Sequence, residues 1–378
     1  MADDELDALL EAARRRCTRF LGWPGPRRPQ DVLRHLLETV PGGAEPDLYG
    51  RGGLVEELEG EVGALLGKPA AVFAPTGTLV QQIALRIQAE RAGCRTVAYH
   101  PTSHLEAHEQ RAYAVLHGLV ARLVGVASAP LTRADLDEIA EPVAALLLEL
   151  PQREIGGVVP DWDDLLSQTS WARERGVALH LDGARLWECL PAYDRPAADI
   201  AGLFDTVYVS FYKGLGALAG AVLAGPSDVI AQSRVWLRRH GGNVVTSWPY
   251  AASALHAVRT RLPRMATYAE HARALAAGLE TVPGVEVLVP PRTPLFHTRV
   301  RVDRSAYRAG RLAVADEQRL WLPPGFSAES PRDQRFEVSV GEEQLDVSVD
   351  AAVAAVSRLV GRAPLGDRAA GRTVSGSS

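Results

Sequence analysis

The sequence is poor in cysteine, poor in lysine and without a long hydrophobic run, and each shortage excludes something. Its three cysteines, Cys17, Cys94 and Cys189, form no CxxC spacing. So sparse and odd a set builds neither a disulfide framework nor a cysteine zinc site. Reduced thiols in a cytoplasm are the expectation. The longest apolar runs, such as AALLLEL (144–150), fall far short of the ~20 residues that cross a bilayer. The opening MADDELDALLEAARRR is charged and acidic, unlike a secretion signal. With 41 basic against 46 acidic residues the net charge is −5, which argues against nucleic acid or an anionic membrane as the main partner, since both call for a basic surface.

What is present is an ordinary globular composition, 47% hydrophobic and 23% charged over 378 residues, enough for two domains. An amphipathic helix is expected over 3–16. The stretch WPGPRRPQ (23–30) is an extended arm, because its prolines fix φ and remove donors. The longer arm 17–30 is consistent with reaching a neighbour. From residue 54 to about 225 short, wholly apolar strands alternate with helices that close on Gly67, Gly93 and Gly176. That texture indicates a mainly parallel sheet covered by helices on both faces. Beyond 226 come long helices and then alternating strands at 285–290, 297–302 and 335–340 with one final helix at 342–361, the texture of a small α+β domain. The divisions are a helix and arm over 1–43, a large α/β domain over 44–262, a small α+β domain over 263–361 and a disordered tail over 362–378.

In a parallel sheet ligands bind at the carboxyl ends of the strands, and three strand ends stand out. HLDGARLWE (180–188) carries Asp182 at the end of an apolar run. This carboxylate suits a cationic ring nitrogen, or an ordinary helix cap. VYVSFYKGLGALAG (207–220) carries Lys213. In an apolar, glycine-rich setting a lysine can have a depressed pKa and form a Schiff base. The basic residues are overwhelmingly arginine, so a lysine here is conspicuous. FAPTGTLVQQIAL (73–85) runs a strand into Thr76-Gly77-Thr78 and then a helix, an arrangement for an anion at a helix start. No Walker lysine follows.

A phosphate cradle, a carboxylate for a ring nitrogen and a Schiff-base lysine are the three parts that pyridoxal 5′-phosphate requires. With LHLDGARLW and SFYKGLGALAG in that order, the chain resembles the L-threonine aldolase/β-eliminating lyase family of fold-type I pyridoxal-phosphate enzymes. The resemblance is strong over 44–225 and looser beyond. It implies Lys213, Asp182 and His104 as catalytic residues. Thr76, Gly77 and Thr78 would cradle the phosphate, His104 would stack on the pyridine with Glu109 behind it, and Arg185 would reach the cofactor or the substrate carboxylate. Arg335 in RFEVSV would bind that carboxylate, and Tyr49 in DLYG (47–50) would lie near the cofactor. No metal is implied: His100, His104 and His108 are spaced by four, but Pro101 disfavours one helix through all three.

The chain departs from the family where substrate is touched. The family's Glu-Asn-Thr-His-Asn is here ELPQREIGG (149–157), with Gln152 near the histidine's place. Its Arg-Ser-Asp-Thr is replaced by FLGWPGPRRP (20–29). RRHGGNVV (238–245) stands for its phosphate segment, where Arg238 or Arg239 could substitute. The resemblance implies a cytoplasmic aldolase that splits the Cα–Cβ bond of a β-hydroxy-α-amino acid such as L-threonine. It also implies a dimer or tetramer with active sites at a subunit interface. β-Elimination or racemisation of a small amino acid on the same lysine is the alternative, and a catalytically silent cofactor-fold protein the remote one.

Overall fold

The computed structural model describes residues 3–327 and 330–361, so the expectation for 362–378 lies outside the described residues. Strand β1 is Arg19–Phe20, followed by β2 (Ala70–Ala74), β3 (Thr96–Tyr99), β4 (Val120–Leu123), β5 (Ala145–Glu149), β6 (Ala178–Gly183), β7 (Thr206–Ser210) and β8 (Ala221–Gly225). Strands β2 to β8 form one sheet in the order β2-β8-β7-β6-β5-β3-β4. Only β8 runs against its neighbours. The helices between the others force parallel crossovers, whereas the ten-residue turn 211–220, which carries Lys213, lets β8 return as a hairpin.

Apart from the edge strand β4, both faces of this sheet are buried, and the pleat shows it. On β2, Ala71 and Phe73 join one apolar cluster while Val72 and Ala74 join another. On β5, Leu146 and Leu148 face the first cluster while Ala145 and Leu147 face a third. Successive side chains point to opposite faces, so a strand covered on both must be apolar throughout.

The remaining strands are β9 (Val285–Val287), β10 (Leu295–Val300), β11 (Leu320–Trp321), β12 (Phe326–Ser327) and β13 (Gln334–Ser339). An antiparallel sheet β12-β13-β10-β9 accompanies the helices Met265–Glu280, Arg304–Gln318 and Val349–Val360. On β13, Phe336 and Val338 enter the core, which turns Arg335, Glu337 and Ser339 to the other face.

Two features differ from the sequence expectation. The helix Arg304–Gln318 was hidden because its buried face contains Arg311, which lies over the Trp321 ring at 4.3 Å. The N-terminal segment does not reach outward; it lies on its own chain. Leu6, Leu10 and Ala13 of the helix Asp3–Arg16 pack with Ala315 and Trp321, and Arg16 meets Asp316 at 2.6 Å. Strand β1 pairs with β11, so the arm is laid across the protein's own C-terminal part.

Candidate functional site

Two buried carboxylates stand side by side at the strand ends. Asp182 on β6 is the register partner of Glu149 on β5. Asp182 Oδ1 accepts from the Ala184 N–H at 3.1 Å, while Oδ2 is buried with no hydrogen-bond partner. Glu149 accepts from the backbone N–H groups of His104 and Arg153 at 3.1 and 3.3 Å. Burial and then the Asp182 charge push its pKa up to about 7, against those two hydrogen bonds.

Lys213 lies in the β7–β8 turn. It and Lys68 are the only lysines in the sequence, and Lys68 is committed to the Phe204 carbonyl. Burial lowers the Lys213 pKa, the Asp182 charge partly restores it, and the Arg185 guanidinium lowers it again. Two arginines fix the turn: Arg261 Nη1 donates to the Leu215 carbonyl at 2.7 Å and Arg27 Nη2 to the Gly216 carbonyl at 2.8 Å. Gly216 has φ +62°, the left-handed backbone region that favours glycine, and a Cβ there would sit 2.5 Å from Arg261 Nη1 and push that guanidinium aside.

His104 joins them. Its Nδ1 lies 3.0 Å from Glu109 Oε1, and Glu109 is fully buried and held by Gln82 Nε2 at 2.9 Å. Burial opposes protonation of His104, but the Glu109 hydrogen bond and the Asp182 charge outweigh it and raise its pKa. The other two histidines point elsewhere: His100 Nε2 to the carbonyls of Val126 and Ala129, His108 Nε2 to Glu154. His104, Glu149, Arg153, Asp182, Arg185 and Lys213 line one pocket.

The Thr76–Thr78 turn starts the helix Gly77–Ala92, with Thr76 Oγ1 capping the Leu79 N–H at 3.4 Å. A Cβ at Gly77 would lie 1.9 Å from the Tyr208 hydroxyl, and Tyr208 is the register partner of Asp182. The turn therefore rests on the strand next to Asp182, but it does not line the Lys213 pocket.

Arg185 is buried. Its Nη1 donates to Glu188 Oε1 at 3.0 Å and to Ser339 Oγ at 3.3 Å. Its Nε and Nη2 are buried without hydrogen-bond partners, and these two donors on one edge match a carboxylate bidentately. Glu337 Oε1 lies 3.9 Å from Nη2. Burial alone would raise the Glu337 pKa, but the His297 hydrogen bond and the charges of Arg185 and Arg153 hold it down at about 2.

Three expected positions lie elsewhere. Arg335 shares a face of β13 with Glu337, but it sits opposite Arg299 and does not line the pocket. Glu337 and Ser339 hold the place beside Arg185 instead. Tyr49, half exposed at φ 51°, lies in a separate groove with Arg238, Arg239 and Asn243. The buried Asp47 carboxylate ties that loop to the start of the helix Trp248–Arg261, accepting from the Ser247 and Trp248 N–H groups at 2.7 and 2.8 Å. Gln152 turns into a neighbouring cavity with His100, Ser103 and Gln168, away from Lys213.

Sequence reasoning passed over Glu149, Arg153, Glu188, Glu337 and Trp23. The strand-end rule that marked Asp182 also marks Glu149. Nothing in the linear pattern marks Trp23 or Glu337, which meet only in three dimensions.

Residues 37–298 match the beta-eliminating lyase family. An aldolase of Penicillium aethiopicum (vrtJ) is 34% identical over 227 residues, 57% of each chain, so the chain spans little more than half of that relative's length. The low specificity L-threonine aldolase of Escherichia coli K12 is 28% identical over 71% of this chain and 81% of its own. A crystal structure from Listeria monocytogenes EGD-E, provisionally named an L-allo-threonine aldolase, is 39% identical, with TM-score 0.88 over 94% of this chain and 99% of that one. Among the described residues no helix is long and apolar enough to cross a membrane.

Proposed function

The chain belongs to the beta-eliminating lyase family, and on that premise we propose that it is a pyridoxal 5′-phosphate-dependent aldolase. It cleaves the Cα–Cβ bond of a β-hydroxy-α-amino acid such as L-threonine, giving glycine and an aldehyde. The observation that carries this reading is Lys213, its pKa depressed, lining one pocket with Asp182, whose Oδ2 is buried and unpartnered.

The residues present fit the cofactor. Asp182 Oδ2 has the vacant acceptor that a pyridine N–H needs, Lys213 supplies the amine, and the Thr76–Thr78 turn offers N–H donors at a helix start. When bound, pyridoxal phosphate supplies the electron sink for the pair left at Cα.

The chain's own groups do the rest. Asp182 keeps the ring nitrogen protonated. Burial lowers the Lys213 pKa, which favours the neutral, nucleophilic amine. Arg185 presents Nε and Nη2 to the substrate carboxylate and so sets which bond at Cα is aligned for cleavage. His104 gives its Nδ1 side to Glu109, which leaves Nε2 to take the β-hydroxyl proton.

A homo-oligomer completes the proposal. The groove of Tyr49 and Arg238 lies away from the chain's own Lys213 pocket and is flanked by exposed Leu48, Val244 and Val245. That face suits delivery of both residues to a second copy's pocket. A monomer by light scattering would remove this part. A cytoplasmic location accords with three cysteines left as thiols.

The decisive experiment incubates the purified, cofactor-loaded protein with L-threonine and with serine. Glycine and acetaldehyde from threonine support the aldolase. Pyruvate and ammonia from serine, without aldehyde from threonine, would replace it with β-elimination.

A further inference from the structure

The arm segment Leu21–Arg27 is pinned at each step. The Leu21 N–H donates to the Trp321 carbonyl at 3.0 Å. A Cβ at Gly22 would meet Pro323 at 2.8 Å, and one at Gly25 would meet the Phe20 ring at 2.4 Å. The Gly25 N–H donates to Glu343 at 3.1 Å, and Arg27 reaches Gly216. Between these anchors Trp23 lies with its ring 5.1 Å from the Arg185 guanidinium carbon. Its Nε1–H donates to Glu337 Oε1 at 3.2 Å. Trp23 and Lys213 also line a common pocket.

Glu337 is the obvious competitor for Arg185. Oε1, the oxygen that Trp23 holds, is the one 3.9 Å from the unpartnered Nη2. The other oxygen forms an ion pair with Arg153, Nε lying 2.8 Å away, and a hydrogen bond with His297 Nε2 at 3.4 Å. A carboxylate that close to a buried, unsatisfied guanidinium N–H closes the gap unless something restrains it.

We propose that Trp23 is a positioning residue for substrate binding: its indole N–H holds the Glu337 carboxylate off Arg185, which keeps the Nε/Nη2 edge open for the substrate's carboxylate. The inference rests on the reading of Arg185 as the substrate's carboxylate partner. The ring over the guanidinium fixes the plane of the fork, and the N–H sets its availability. A polar arm of another sequence could occupy the same place without this restraint.

Trp23→Phe keeps the ring and removes the N–H. In the cofactor-loaded protein KM for a β-hydroxy amino acid, and the Kd of glycine read from the cofactor's visible absorbance, should both rise about tenfold. The change falls on KM rather than kcat. Glu337→Gln removes the competing charge, so in that background the same Trp23→Phe change should alter KM by less than about twofold. Equal KM effects in the two backgrounds, or an unaltered KM in Trp23→Phe, would overturn the proposal. Should Glu337→Gln fail to fold, Trp23→Leu replaces it: Phe must already carry most of the rise that Leu shows, and a Phe variant matching the unmodified protein refutes the idea. The cofactor's visible band separates the two levels. A wild-type protein that never acquires the band sinks the reading beneath, whereas a Trp23→Phe protein with a normal band and normal KM sinks only this inference.

Discussion

The two sides of the Lys213 pocket are built differently. One side consists of Asp182, Glu149 and Lys213, which sit at the ends of or just after three neighbouring strands of one sheet. Their spacing follows from the sheet itself, ~4.8 Å between strands, so few other contacts are needed to place them. The other side consists of Arg185, Glu188, Glu337, Arg153, His297 and Trp23, drawn from segments separated by up to 314 residues. These groups are placed by one another, as a network of hydrogen bonds and ion pairs. A site of this kind pairs a chemical half placed by one sheet with a recognition half placed by contacts between distant segments.

Three substitutions sharpen the contrast. Lys213→Ala should have the largest effect, a loss of at least about 10³-fold in kcat/KM together with the cofactor's visible absorbance. The fold should be undisturbed, because the Leu215 and Gly216 carbonyls keep their arginine donors. Asp182→Asn should cost about 10²–10³-fold in kcat while leaving KM nearly alone, as removal of a group that acts on the reacting ring would. Arg185→Lys belongs to the recognition half. It keeps a charge beside Glu188 but loses the fork, so KM should rise about 10- to 100-fold with a smaller change in kcat. If Asp182→Asn moved KM and Arg185→Lys moved kcat, the division of labour would be wrong.

The same contrast explains what could be read from the sequence. The chemical half was legible because a strand covered on both faces is a short apolar run, and the first polar residue after it is conspicuous: Asp182 after ALHL, Lys213 after VYVSF. The alternation of those runs with helices also disclosed the parallel sheet. Of the recognition half only Arg185 was legible, because Trp23 and Glu337 owe their contact with it to how β1, β11 and β13 are arranged in space. RFEVSV displayed its alternation, but which polar residue of that face meets Arg185 depends on where the strand sits. That is why Arg335 was expected where Glu337 and Ser339 are found. The helix Arg304–Gln318 escaped for a related reason: Arg311 and Gly310 break the apolar stripe that periodicity looks for.

The smallest effect sets the two halves against each other through pH. Glu149 on the strand side is held above the ordinary value of about 4.3, at about 7, chiefly by burial. Glu337 on the network side is held at about 2, because His297 and two arginines outweigh burial. A raised carboxyl binds its proton more tightly in the folded chain, so Glu149 costs stability progressively as pH climbs from about 4.3 to about 7. A depressed one does the reverse: Glu337 stabilises fully above about 4.3, and that contribution is lost as pH falls through about 2. Melting temperatures of Glu149→Gln and Glu337→Gln, each taken against the unmodified protein across that range, should therefore diverge. Glu149→Gln gains relative stability between pH 4 and 7. Glu337→Gln is the less stable protein at neutral pH, and its deficit closes toward pH 2. If both differences moved the same way with pH, the opposed electrostatics of the two halves would be refuted, and with them the reason the network side keeps a charged glutamate beside its arginine fork.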